Sequence, residues 1–288
     1  MDLGLGGKSA LLIGAGRGLG AAAALALARE GCKVAVVART QETVERRAAA
    51  CREAGAPVAL AFSADACDPA ALATVIERTA RELGSIDILV NLVGGSQPGG
   101  SDAAPEMWQQ AMERNLWPAV RATQLALPYL TASAARRALS APAQTLQQAR
   151  VGAGSAPDDP CGPLDRDASV VVHVASIFGR EGGGSLSYNV AKAALISLAH
   201  EQARELARRG VRVLSVAPGS ILHPGGSWER RLQADPAGTT EFVKREIPFG
   251  RFGTAEEVGE VLAFLCSPRA SWVAGACVVI DGGQSRAF

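Results

Sequence analysis

The chain has 288 residues, a formal net charge of +1, 48% apolar residues and 20% charged residues. That length suits one large α/β domain with a sizeable core, and the balance excludes a disordered chain. No basic surplus points to nucleic acid, and no basic tract points to a membrane surface.

Met1–Lys8 lacks the basic start and apolar run of a signal peptide. The longest apolar run, Leu19–Ala28, is about half a membrane span and is closed by Arg29 and Glu30. The expected compartment is therefore the cytoplasm. Six cysteines are scattered without a Cys-x-x-Cys pair, and the three histidines, His173, His200 and His223, are far apart. No metal site is expected, and the thiols are expected to be reduced and mostly buried.

In chain order, short apolar runs alternate with helical stretches. Ser9–Ile13 precedes a glycine run and an Ala/Leu-rich helix ending near Glu30. Lys33–Ala38 precedes a polar helix from Gln41 to about Ala54. Val58–Phe62, Ile86–Val90, Val170–Ala175, Val211–Val216 and Val278–Ile280 are the further strands. The further helices are Ala70–Leu83, Pro105–Leu130, Ser187–Arg209 and Ala255–Cys266. This alternation predicts a single doubly wound α/β domain of Rossmann type over residues 1–288. Its seven-stranded parallel sheet carries helices on both faces.

Thr131–Ala168 breaks the rhythm. A connection of this length is far above the usual handful of residues. About Ala132–Ala149 reads as helix interrupted by Pro142, and the rest as loop. It feeds the amino end of the following strand, away from any ligand crevice, so a peripheral insertion is expected.

The first strand runs into Gly14-Ala-Gly-Arg-Gly-Leu-Gly20 and then a helix. Glycines permit a tight turn and a close backbone approach to a pyrophosphate, and the helix start supplies free N–H groups. The spacing is Gly14-x-x-x-Gly18-x-Gly20, with Leu19 where the strict G-x-G-x-x-G pattern has its last Gly. Gly7-Lys8-Ser9 imitates the end of a P-loop but precedes the strand and lacks the earlier glycine. The second strand ends in Ala38-Arg39, without the acid that takes ribose hydroxyls in NAD-binding folds. Arg39, with Arg17 in the glycine loop, suits a 2′-phosphate, so NADP(H) is the expected cofactor and NAD the alternative.

Tyr188-Asn-Val-Ala-Lys192 opens a long helix, and the i, i+4 spacing puts phenol and ammonium on one face. An ammonium favours the phenolate. A shift of about 3 units would correspond to about 4 kcal/mol and bring Tyr188 into acid/base range near neutral pH. Ser176, at the end of Val170–Ala175, stands where strand carboxyl ends face a cofactor crevice. It can steady a substrate oxygen there.

In these pieces the chain resembles the short-chain dehydrogenase/reductase family, in its 3-oxoacyl-reductase-like branch. The matching residues are Gly14, Gly18 and Gly20, Asp65, Asn91-Leu-Val-Gly94, Asn115, Ser176, Tyr188-x-x-x-Lys192, Pro218-Gly219 and Asp281-Gly-Gly283. The resemblance implies Tyr188 as general acid or base, Lys192 lowering its pKa and holding the nicotinamide ribose, and Ser176 orienting the substrate oxygen. It implies Asn115 holding a relay water. It also implies Asp65 at the adenine, Asn91 and Gly94 on the adenosine side, and Pro218-Gly219 beside the nicotinamide. Departures are Ile13 for Thr, Leu92-Val93 for Asn-Ala, Leu214 for Asn, and no Thr after Pro218-Gly219.

Residues 219–248 are expected to form a substrate lid hinged at Gly225-Gly226, with His223, Trp228 and Phe242 as candidate contacts. The expected function is NADP(H)-dependent interconversion of a ketone and a secondary alcohol, with a small-molecule carbonyl or alcohol as partner. The alternatives are an NAD-dependent alcohol dehydrogenase of the same fold and an inactive nucleotide-sensing protein. By resemblance the chain is expected to assemble as a homotetramer or homodimer.

Overall fold

A computed structural model of the chain describes residues 2–96, 99–140 and 167–287. Seven parallel strands form one sheet: β1 (Ser9–Ile13), β2 (Lys33–Ala38), β3 (Ala59–Ser63), β4 (Ile88–Asn91), β5 (Ser169–Val174), β6 (Val211–Pro218) and β9 (Cys277–Ile280). Their order is β3-β2-β1-β4-β5-β6-β9. The order reverses between β1 and β4, and in such sheets ligands bind at this switch point, outside the strand carboxyl ends.

The inner strands β1, β4, β5 and β6 are buried on both faces, which is why they read as runs of Val, Ile, Leu and Ala rather than as alternations. Ala10 and Leu12 of β1 point to one side with Val34, Val90 and Val172. There they meet α1 (Gly18–Arg29), α2 (Gln41–Glu53) and α9 (Ala255–Cys266). Leu11 and Ile13 point to the other side with Val37, Leu89 and Val171. There they meet α3 (Pro69–Leu83), α5 (Trp117–Ser140) and α6 (Leu186–Leu206). The alanines of α1 let α9 approach its backbone. A Cβ on Gly259 would lie 2.8 Å from the Ala22 carbonyl carbon.

Local chemistry sets the helix ends. Asp68 accepts hydrogen bonds from the N–H groups of Ala70 and Ala71, Pro69 opens α3, and Gly84 closes it at φ 84°. Thr254 and Glu257 form a reciprocal capping box at α9. By contrast, α1 begins with neither a capping side chain nor an acid in its first turn. Its first N–H groups are left for a ligand.

The structure corrects one expected helix and adds detail at two further places. The helix expected over Pro105–Leu130 is two helices, α4 (Pro105–Asn115) and α5, broken at Leu116. Pro118 cannot donate to the carbonyl of Arg114, and its ring clashes there. The polar stretch before Pro248 contains α7 (Ser227–Ala234) and α8 (Pro236–Glu246). Two-residue strands β7 (Ile221–Leu222) and β8 (Gly253–Thr254) pair beside them. The insertion 131–168 begins as the last turns of α5, which end at Ser140. Its remainder up to residue 166, with Pro142 and Cys161, lies outside the described residues.

The ends flanking that segment are tied to the amino ends of the strands. Arg137 of α5 pairs with Asp87, and Lys8 pairs with Asp167. Burial works against the Asp87 carboxylate. Hydrogen bonds from Ser133, the Ser9 N–H and Ser85, with the Arg137 guanidinium, outweigh it and hold the carboxyl below the usual range. Among the described residues, no helix is long and apolar enough to cross a membrane. Five described cysteines are free, and burial pushes the Cys32 and Cys266 thiols up to about 12.

Candidate active site

The glycine loop is built by close contacts. Gly14, at φ 95°, donates to the Val37 carbonyl at 2.9 Å, and its Cβ would lie 3.0 Å from Val93 N. A Cβ on Gly20 would lie 2.4 Å from the Gly14 oxygen, and one on Gly16 would lie 2.9 Å from the Ala38 Cβ. Gly16 thus belongs with the site glycines, although the family spacing Gly14-x-x-x-Gly18-x-Gly20 passes over it.

Beside this loop lies an open cleft of about 730 Å³. Gly14, Arg17, Arg39, Asp65 and Gly94 all line it, as do Thr43 and Arg114. Arg17 is the extended residue immediately before α1. Neither Arg17 nor Arg39 pairs with a carboxylate among the described residues. Asp65 accepts a hydrogen bond from the Cys67 N–H at 2.9 Å, which shapes the turn at the cleft wall. Leu19 is half-buried against the core on the α1 side of the sheet.

Asn91 departs from expectation. Its side chain is buried and faces β5 rather than the cleft, with Nδ2 3.2 Å from His173 Nδ1. His173 Nε2 lies 2.9 Å from Gln202 Oε1, so the tautomer that satisfies both partners carries its proton on Nε2. Burial pushes the His173 pKa down to about 4, leaving it neutral.

Gly94 joins the cleft to the reacting end. Its Cβ would lie 2.7 Å from Asn115 Oδ1 and 2.8 Å from Lys192 Nζ, so no side chain is tolerated there. Asn115 accepts from the Gly95 N–H at 2.9 Å, and its amide nitrogen donates to the Ala111 carbonyl at 3.0 Å. Lys192 is buried, and its Nζ donates to the Val174 carbonyl at 3.0 Å. The same Nζ lies 5.8 Å from the Tyr188 ring centre. Burial pushes the Lys192 pKa down to about 8.

Ser176 follows β5 in extended conformation, and its Oγ accepts from the Phe178 N–H at 3.2 Å. It adjoins the Tyr188 hydroxyl. Here another expectation is corrected. Burial raises the phenol above its ordinary value of 10, and the hydrogen-bonding pull of Ser176 only partly offsets this. The ammonium thought to lower it is itself desolvated.

Pro218 ends β6, and the Gly219 N–H donates to the Ile280 carbonyl at 3.0 Å. In the expected lid, Trp228 stacks on Phe242 at 4.6 Å and tilts against Phe252 at 5.1 Å. Arg231 lies over both Trp228 and Phe242. The Trp228–Phe242 contact joins α7 to α8. His223 turns to the glycine loop instead, with its imidazole 2.7 Å from where a Gly18 Cβ would be.

The short chain dehydrogenase family profile matches residues 8–138, and an enoyl-(acyl carrier protein) reductase profile matches residues 160–285. A 3-oxoacyl-[acyl-carrier-protein] reductase from Thermotoga maritima is 30% identical, covering 96% of this chain and 97% of the relative. The chain belongs to the short-chain dehydrogenase/reductase family. It is an oxidoreductase of that family. The cis-4-hydroxycyclohexanecarboxylate dehydrogenase of Sinomonas cyclohexanicum is 31% identical over 96% of each chain. Among solved structures, L-sorbose reductase from Gluconobacter frateurii, in complex with NADPH and L-sorbose, superposes with a TM-score of 0.83. It shares 26% identity over all of both chains.

Proposed function

We propose that this short-chain dehydrogenase/reductase is an NADP(H)-dependent enzyme that interconverts a ketone and a secondary alcohol, with Tyr188 as its acid and base. The observation that carries this reading is the meeting of Tyr188, Ser176, Lys192 and Asn115 where the cleft reaches Gly94.

The residues present fit a dinucleotide. Gly14, Gly16 and Gly20 leave no room for side chains at their positions, and α1 offers uncapped N–H groups for a pyrophosphate. Arg17 and Arg39, without carboxylate partners among the described residues, suit the 2′-phosphate, and Asp65 suits the adenine side. Leu19 adds its backbone at the start of α1, Asn91 braces β4 from behind, and Pro218-Gly219 bound the nicotinamide end. When bound, the nicotinamide supplies the hydride.

The chain's own groups handle the oxygen and the proton. Ser176 donates a hydrogen bond to the substrate oxygen and steadies its developing charge. Tyr188 gives that oxygen a proton in reduction and takes it back in oxidation. A phenol held above 10 by burial is protonated at neutral pH, which suits the reductive direction. Lys192 spends one N–H on Val174, leaving the others for the ribose and the proton path. Asn115 Oδ1 keeps one lone pair for a relay water.

Residues 219–248 act as the lid in this reading. Trp272, 98% exposed and five residues before edge strand β9, and the exposed Phe264 of α9 support assembly as a homotetramer or homodimer. The assigned compartment is the cytoplasm. The test is a panel of ketones run with NADPH and NADH in parallel, read by cofactor absorbance. Ketone-dependent oxidation of NADPH in preference to NADH is expected. Absence of turnover with either cofactor would overturn the reading.

A further inference from the structure

The segment after β9 is fastened to three separate walls of the site. Gln284 Oε1 accepts the Ser220 N–H at 2.8 Å, just past Pro218-Gly219. Arg286 reaches Glu246 of α8 at 3.5 Å. The N–H groups of Arg286 and Ala287 both donate to one carboxylate oxygen of Glu181, at 2.7 and 2.9 Å. Asp281 fixes the turn that starts this path, accepting from the Gly283 and Ser285 N–H groups.

Glu181 begins the Gly182–Gly184 run between Ser176 and Tyr188. Three successive glycines carry no side chain that could anchor them, and their backbone is permissive. Yet Gly184 is pressed against the site, since its Cβ would lie 3.3 Å from Tyr188 Cδ1. The Phe178 ring packs against the run at Gly183 and Gly184. The Glu181 carboxylate ties the start of the run to the segment after β9. Paired N–H donors on an ionised oxygen make charge-assisted bonds, stronger than neutral ones.

We propose that Glu181 is a specificity-determining positioning residue: by gripping the backbone of Arg286 and Ala287 it fixes Gly182–Gly184 against Tyr188 and limits the size of substrate admitted. This rests on Tyr188 being the acid/base. Opening the latch frees the glycine run to retract, so bulky carbonyl compounds gain relative to small ones.

The experiment compares wild type, Glu181→Ala and Glu181→Gln by hydrogen exchange and by kcat/KM on one small and one bulky ketone. Glu181→Ala is expected to speed exchange over residues 177–189 while the β1 and β4 peptides stay protected, which shows that the fold is intact. It is expected to shift the bulky-to-small kcat/KM ratio by about tenfold toward the bulky ketone, mainly through KM. Affinity for NADPH is expected to be unchanged. Glu181→Gln keeps an acceptor oxygen and is expected to restore most of both effects. Unchanged exchange over 177–189 in Glu181→Ala would overturn the proposal, as would an unchanged ratio. If the wild type turns over neither ketone, the functional reading fails, and the exchange comparison alone still decides the latch.

Discussion

Lys192 Nζ donates a hydrogen bond to the backbone carbonyl of Val174 at 3.0 Å. Val174 is the last residue of β5, and Ser176 follows two positions later. One bond thus ties the helix that carries Tyr188 and Lys192 to the strand that delivers Ser176. The bond costs the protein stability, because the ammonium is desolvated to make it.

Burial lowers the Lys192 pKa from 10.5 to about 8. Between these values the unfolded chain binds more protons than the folded one, so this group makes stability rise with pH from about 8 to 10.5. Below pH 8 the full cost applies, on the order of 3 kcal/mol. Lys192→Met removes the charge, so its stability should lack this rise. Urea melts of both proteins at pH 7.5, 9 and 10 check it. Parallel pH dependence of the two would show that the ammonium is not under strain. Turnover by Lys192→Met should be nearly abolished.

The neutral His173 sits between Asn91 and Gln202, and its pKa falls from 6.5 to about 4 through burial. The unfolded chain takes up a proton first as the pH drops. Stability should therefore fall from about pH 6.5 down to about 4, by on the order of 3 kcal/mol from this residue. His173→Gln should be less stable at pH 7 but lose less between pH 6.5 and 4.5. An equal loss in both proteins would exclude His173 as the acid-sensitive group.

Arg39 lines the cleft, pairs with no carboxylate among the described residues, and in the proposed function meets a 2′-phosphate. Arg39→Asp replaces attraction with repulsion at that point. It should weaken NADPH binding by about 2 kcal/mol, or roughly thirtyfold, while NADH binding holds or improves. Calorimetric titration with each cofactor checks this. An equal loss for both cofactors would mean that Arg39 supports the fold of the cleft and does not read the phosphate.

Much of the architecture was legible in the sequence for a physical reason. Parallel strands covered on both faces must be apolar throughout, so Lys33–Ala38 and Val211–Val216 stand out from their surroundings. The glycine loop was legible because close approach excludes every other residue, as at Gly14 and Gly20. The break between α4 and α5 was missed although Pro118 marks it, because good helix formers lie on both sides. Helices α7 and α8 were missed because their polar faces hide the Trp228–Phe242 contact that joins them. The inward turn of Asn91 depends on His173, which lies 82 residues away and is adjacent only once β4 and β5 pair. The direction of the Tyr188 shift was least legible. Spacing puts an ammonium near the phenol, but only the fold shows that both are desolvated.

The central claim is that Tyr188 passes a proton to the substrate oxygen. Its most direct test is single-turnover reduction of a ketone by Tyr188→Phe, alongside NADPH binding measured by fluorescence. The account predicts a fall in rate of about 10²–10⁴-fold with cofactor binding retained. A Tyr188→Phe protein that reduces the ketone at the wild-type rate would contradict it.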